Sequence, residues 1–164
     1  MDHTPGGAGS ATGDRERLIV GVEGTYRARL PSFAEVRALA EAFGESVSAD
    51  PEATIRVVLV LEELFTNTVA HGYPAGSEGP VWVSLDLAGN AIEITYEDAG
   101  PPFDPIGGAA AVSRPDEEQT LGGVGLALVR GLCASARYAR DGDRNRVILT
   151  VATGTAASPP ATAL

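Results

Sequence analysis

Three segments hold residue types whose spacing could do chemistry. In VVLVLEELFTNTVAHGY, Glu63, Asn67 and His71 recur at every fourth residue, and at about 3.6 residues per turn they project from one side of a helix. Val57, Val58, Leu61, Phe65 and Val69 gather on the opposite side, while Leu59, Val60 and Ala70 fall among the polar residues. A carboxylate and an amide on a half-apolar surface are costly unless they meet a ligand, a metal or a water network. The plainer reading is a solvated helix face. His71, next to Gly72, reads as a histidine set against the negative end of the helix rather than as a catalyst.

The second segment is EDAGPPFDP. Asp98 stands where a strand ends, and residues 99–102 turn the chain with two prolines that have no N–H to donate. A strand-end carboxylate beside a close-packed glycine can accept a proton from an exocyclic amino group, although the same turn also occurs as simple decoration. In the third segment, LGGVGLALVRGL, Gly122, Gly123 and Gly125 run into a helix expected over residues 126–134. These glycines permit close backbone approach, and the free N–H groups of a helix start can hold phosphate. A dinucleotide-binding fingerprint would need a preceding strand and another glycine, and a Walker loop would need Gly-Lys-Ser/Thr; neither is present.

The elements that must position these segments are legible from periodicity. Residues 17–30 predict one strand or a bent pair stopped at Pro31. Ser32 then caps a helix over residues 33–48, with Phe33, Val36, Leu39, Ala40 and Phe43 at helical spacing. Asp50-Pro51 opens a second helix that runs to about His71 and closes at Gly72. Residues 81–87 and 91–97 alternate apolar and polar side chains around Ala88-Gly89-Asn90, which predicts an antiparallel hairpin. Residues 136–140 and 146–151 are the last two strands, joined by the turn DGDRN. Between 107 and 122 the chain is small, polar and acidic without period, as a functional or mobile loop would be. Residues 1–14 and 153–164 read as flexible tails around a single domain spanning 15–152. Trp82 and Cys133 read as core residues.

Composition narrows the function classes. A chain of 164 residues suits one domain, and 44% hydrophobic with 21% charged residues can build a core. Twelve Lys and Arg against 22 Asp and Glu give a net charge of −10. That charge disfavours direct binding to nucleic acid or to an anionic membrane, so a phosphate ligand must be held by local geometry. The single cysteine excludes an internal disulfide, and His3 and His71 form no metal cluster. With no export signal and no apolar run of membrane-spanning length, a cytoplasmic setting is expected.

In this order and spacing the three segments resemble the nucleotide-binding boxes of the GHKL ATPase superfamily, the gyrase, Hsp90, histidine-kinase and MutL type. The resemblance is closest to the small anti-sigma factor serine/threonine kinases of the SpoIIAB and RsbW kind. E-x-x-x-N-x-x-x-H-G-Y from Glu63 to Tyr73 is similar to the N box, DAGPPFDP from Asp98 to the G1 box, and GVGLAL from Gly123 to the G2 box. The likeness covers nearly the whole folded part. It implies an α+β fold, a two-layer α/β sandwich with helices on one face of a mixed, mainly antiparallel sheet (the Bergerat ATP-binding fold). ATP or ADP would lie between the layers, under a lid formed by the acidic loop at 106–121.

By the same resemblance Asn67 holds Mg²⁺ at the phosphates, Glu63 is the general base and Asp98 accepts the adenine amino group. Gly100, Gly123 and Gly125, with Leu126, line the nucleotide. These roles suit the residue types, since Mg²⁺ takes an amide oxygen together with phosphate oxygens and waters, and a carboxylate one helical turn away can reach an approaching hydroxyl. The implied partners are a sigma factor and an anti-sigma-factor antagonist, the latter being the phosphorylated protein, and a homodimer is compatible with the reading. The alternative is a nucleotide-dependent binding switch with little or no turnover. The chain departs from the family at three places. Pro102 replaces the second G1 glycine, Arg144-Asn145 replaces a Gly-Thr before the last strand, and Thr120-Leu121 stand where a basic lid residue is common, with Arg114 the nearest cation. A complete histidine kinase would need a phosphoaccepting histidine on a separate helical hairpin, and gyrase, MutL and Hsp90 would need further domains; none of these is expected here.

Overall fold

A computed structural model describes residues 21–107 and 122–154. Nearly all of the expected tails, the start of the first strand at 17–20 and most of the expected lid, 108–121, lie outside the described residues. The elements run β1 (Gly21–Arg27), α1 (Phe33–Ser46), α2 (Pro51–Asn67), β2 (Pro80–Ala88), β3 (Ala91–Asp98), α3 (Gly122–Leu132), β4 (Ser135–Asp141) and β5 (Arg144–Ala152). The strands form one five-stranded sheet in the order β1-β2-β3-β5-β4. All four ladders are antiparallel, so the mainly antiparallel sheet expected of an α+β fold occurs here in its fully antiparallel form.

Alternation makes the sheet two-sided. Val81, Val83 and Leu85 of β2, Ile92, Ile94 and Tyr96 of β3, and Val147, Leu149 and Val151 of β5 are buried, and they share one core with Phe43 of α1 and Val57, Leu61 and Phe65 of α2. Among the described residues, helices therefore cover one face and none covers the other, the open face. The β2–β3 hairpin turns through Gly89, whose φ of +65° is the left-handed conformation that favours glycine. This turn sets the register that pairs Val81 with Asp98 and Trp82 with Glu97.

Register also decides which acid faces which side. Glu97 lies on the open face, where its carboxylate accepts from Arg146 Nε at 2.9 Å and lies 3.6 Å from Arg144. Arg144 in turn stacks on Trp82, 3.7 Å from the ring centroid. Trp82 is thus a half-buried platform on the open face and not the core residue expected, because its position in β2 falls on the side opposite Val81 and Val83. Cys133 is partly buried and packs against the core. Among the described residues no helix is long and apolar enough to cross a membrane.

Three local expectations are corrected. Val60, assigned by periodicity to the polar side of its helix, is fully buried. The reason is that α2 packs against both α1 and α3 as well as the sheet, which widens its buried arc. Ser32 stands at the N-cap of α1 without capping it, because a 3-10 turn (Leu30–Ser32) already gives it helical dihedrals and its hydroxyl accepts from Arg29 Nε at 3.1 Å. Asp50 stands at the N-cap of α2 with no side-chain cap bond. Its carboxylate packs instead where a Cβ on Gly154 would lie, 2.2 Å from Oδ2.

Candidate functional site

The site begins where α2 loses its regularity. Thr68 donates its hydroxyl to the Leu64 carbonyl at 3.1 Å, and the Tyr96 hydroxyl donates to Thr68 Oγ1 at 2.9 Å. The chain then widens into a π turn over Thr68–Gly72, where sequence predicted α-helix to His71. A hydroxyl that bonds back to the preceding turn disturbs the helical ladder, and such π turns gather at functional sites. Burial pushes the Tyr96 phenol far above its ordinary range, so it remains a hydrogen-bond donor. Leu64, Thr68 and Tyr96 form part of the wall of a cavity of about 200 Å³, and Asn67, the exposed His71 and Gly72 line it from the same segment.

Asp98 faces this cavity from the end of β3. Its Oδ1 accepts from the Gly100 N–H at 2.8 Å and from Asn145 Nδ2 at 2.9 Å. Asn145 is the residue opposite Asp98 in the β3–β5 ladder and is only 4% exposed. Its Nδ2 also donates to the Pro101 carbonyl at 2.9 Å, while its Oδ1 accepts from Phe103 N–H at 3.1 Å, the Tyr138 hydroxyl at 2.9 Å and Arg140 Nη1 at 3.0 Å. Arg140 also donates to the Gly100 carbonyl at 2.8 Å. The proline-rich turn is therefore tied at Gly100, Pro101 and Phe103 to the neighbouring strands, and Phe103, 51% exposed, stands on the cavity wall.

Tyr73 joins the π turn to the proline-rich turn. Its hydroxyl donates to the Pro80 carbonyl and accepts from the Ala99 N–H at 2.8 Å. Burial is the main cause that raises its pKa, the Ala99 bond opposes it, and the Asp98 charge adds to the rise. The two turns meet so closely that a Cβ on Gly100 would lie 2.2 Å from the Gly72 carbonyl oxygen. Gly100 is required for this approach of one backbone to the other.

Glu63 sits one helical turn before Asn67 and packs on α3, not on the cavity wall. A Cβ on Gly125 would lie 1.8 Å from Glu63 Oε2. Sequence predicted a helix from Leu126, with the glycines as a preceding loop; α3 instead begins at Gly122 and includes Gly123 and Gly125 in its first turns. Packing of α3 on α2, with Val129 fully buried, outweighs the low helix propensity of glycine.

The structure thus gathers Asn67 and Asp98 on one cavity, with Gly100 directly behind Asp98. Glu63 and Gly125 form a neighbouring pair, the half-buried Leu126 lies on α3 outside the cavity lining, and Gly123 falls in the first turn of α3. Sequence reasoning missed Tyr96 and Arg140, and it took Asn145 only as part of a departure from the family's Gly-Thr. A signal for Asn145 was present, because it falls on the same face of β5 as Val147, Leu149 and Val151, and an amide on an apolar stripe needs partners.

The fold has counterparts among known proteins. The family model described as a histidine kinase-like ATPase domain matches residues 26–151. A crystal structure of the RsbU and RsbW domains of Rv1364c from Mycobacterium tuberculosis matches with 22% identity and a TM-score of 0.59, over 80% of this chain and 32% of that one. The chain thus spans about a third of the length of that protein. A histidine kinase domain of the blue-light activated kinase of Erythrobacter litoralis EL346 matches more loosely, with 20% identity and a TM-score of 0.47 over 72% of this chain and 61% of that one. The Acinetobacter baumannii histidine kinase AdeS follows, with 16% identity and a TM-score of 0.43 over 80% and 68%. No curated protein matches in sequence. With residues 26–151 matched, well over half of its length, the chain belongs to the histidine kinase-like ATPase domain family.

Proposed function

We propose that the protein binds ATP or ADP with Mg²⁺ and regulates a sigma factor as a serine/threonine kinase of an anti-sigma-factor antagonist. The observation that carries the nucleotide reading is the Asp98–Asn145 pair at the cavity wall. Both donors fall on Asp98 Oδ1, so Oδ2 is the oxygen for an adenine amino proton. A cavity of about 200 Å³, walled by prolines and Phe103, suits a flat base whose phosphates extend beyond it; whole-ligand pockets are larger, about 300–1,000 Å³.

Asn67 on the same wall fits the cation. Among the described residues no group of three or more His, Cys, Asp or Glu side chains gathers to hold an ion, so Mg²⁺ would be held by the Asn67 amide oxygen and by the phosphates. Bound there, it would neutralise phosphate charge. Glu63 supplies the base: the acceptor hydroxyl gives its proton to the carboxylate, its oxygen bonds to the γ-phosphorus, and the bond to the bridging oxygen of ADP breaks. Likeness to an RsbW domain supports the anti-sigma role at the level of fold. The second reading, a nucleotide-dependent switch with little transfer, is favoured by Thr120-Leu121, where the family commonly has a basic residue.

Labelled ATP, purified protein and its antagonist test the kinase reading. Glu63→Gln should lower transfer by about 10²–10⁴-fold with nucleotide affinity largely kept, whereas the exposed Glu62→Gln should change little. Equal behaviour of the two variants, or no transfer by the wild type, would leave the switch reading.

A further inference from the structure

The Asn145 amide is saturated. Its donor end meets Asp98 Oδ1 and the carbonyls of Pro101 and Gly100, the last at 3.4 Å, and its acceptor end meets the Phe103 N–H, the Tyr138 hydroxyl and Arg140. Acceptors cluster at one end and donors at the other, so a flipped amide would set like against like at both. A carboxylate of the same shape fails at the donor end, and a hydroxyl is too short to serve both. With its hydrogen bonds spent inside the protein, Asn145 has nothing left with which to read a ligand directly.

We propose that Asn145 is a positioning residue that sets preference for an amino-bearing purine, by fixing the Asp98 carboxylate with Oδ1 occupied and Oδ2 turned to the ligand. The inference rests on the nucleotide reading and deepens it. Oδ1 is held by two bonds, and without Asn145 only the local bond from the Gly100 N–H, two residues on, remains. The same amide anchors Pro101 and Phe103, so the proline-rich turn and the carboxylate are set by a single group.

The test compares ATP with purine riboside triphosphate, which lacks the amino group, by calorimetry on the full chain. Wild type should prefer ATP by about tenfold or more, as expected for a hydrogen bond to a charged acceptor. In Asn145→Ala the preference should shrink to within about threefold, beyond any weakening that release of the proline-rich turn causes for both nucleotides alike. Asn145→Asp keeps the shape and sets an acceptor against Asp98 Oδ1, and it should lose the preference in the same way while its melting temperature reports folding. An equal loss for both nucleotides, or an unchanged preference in the two variants, overturns the inference and leaves nucleotide binding standing. No binding of either nucleotide by folded wild type overturns the nucleotide reading, and this inference with it.

Discussion

Glu63 of α2 occupies the space that any side chain at position 125 of α3 would take, with Oε2 only 1.8 Å from the place of a Gly125 Cβ. The atom in the way is the end of a flexible side chain, so Gly125→Ala should displace the carboxylate and not the helices. Alanine is the better helix former by about 1 kcal/mol. Denaturant unfolding should show stability unchanged or raised by up to that amount, while phosphoryl transfer falls. Loss of both together would mean that the helices, and not the carboxylate, had moved.

Asp98→Asn separates folding from recognition. The new amide can keep its oxygen toward the Gly100 N–H and Asn145 Nδ2, and its nitrogen then replaces Oδ2. An acceptor becomes a donor where the adenine amino group would approach. ATP affinity should fall by more than about tenfold, or about 1.4 kcal/mol, with stability changed by less than about 1 kcal/mol. Calorimetry and thermal melts on the same samples check both.

Gly100→Ala should instead cost stability. Its Cβ would meet the Gly72 carbonyl oxygen, a backbone atom that cannot swing aside, at 2.2 Å, and Asp98 Oδ1 at 2.9 Å. Separating the π turn from the proline-rich turn should cost about 1–3 kcal/mol, read as a lower denaturant midpoint.

Burial raises the Cys133 thiol to about 11. The thiolate is the reactive form, so labelling by a disulfide reagent at pH 8 should be slow in the native protein and fast after unfolding. The folded state keeps a proton that the unfolded state releases near pH 9. Stability from this group is therefore fully present below pH 9 and declines as pH rises toward about 11, which a series of denaturant midpoints would show.

Strands and helices with clear periods were legible in the sequence, because burial on one face leaves a period of two or of about 3.6 residues in the chain. The β2–β3 hairpin and α2 appear within a few residues of their expected ends. What escaped depended on neighbours distant in sequence. Val60 is buried by flanking helices, α3 is drawn back to Gly122 by its packing on α2, and the turn after Asn67 follows from Thr68 and from Tyr96 on another strand. In the site, the residues at local spacing, Asn67 and Asp98, were visible as candidates. Asn145 stood out only as a departure from the family pattern, and its role was not legible, since its partners are brought to it only by the order β3-β5-β4.

The adjacency of Glu97 and Asp98 makes the site sensitive to the frame in which β3 is threaded. Glu97 is neutralised by arginines on the open face, and Asp98 is dressed with N–H donors on the cavity face. A slip of one residue would exchange them, since each step along a strand reverses the side. The longer acid would then enter the cavity against Asn145, and the shorter would be left beneath Arg146. Gly89, at the far end of the hairpin, guards against that slip. An insertion of one residue in the 88–91 turn would thus reach the recognition chemistry from the other end of the sheet, with every side chain of the cavity unchanged in identity.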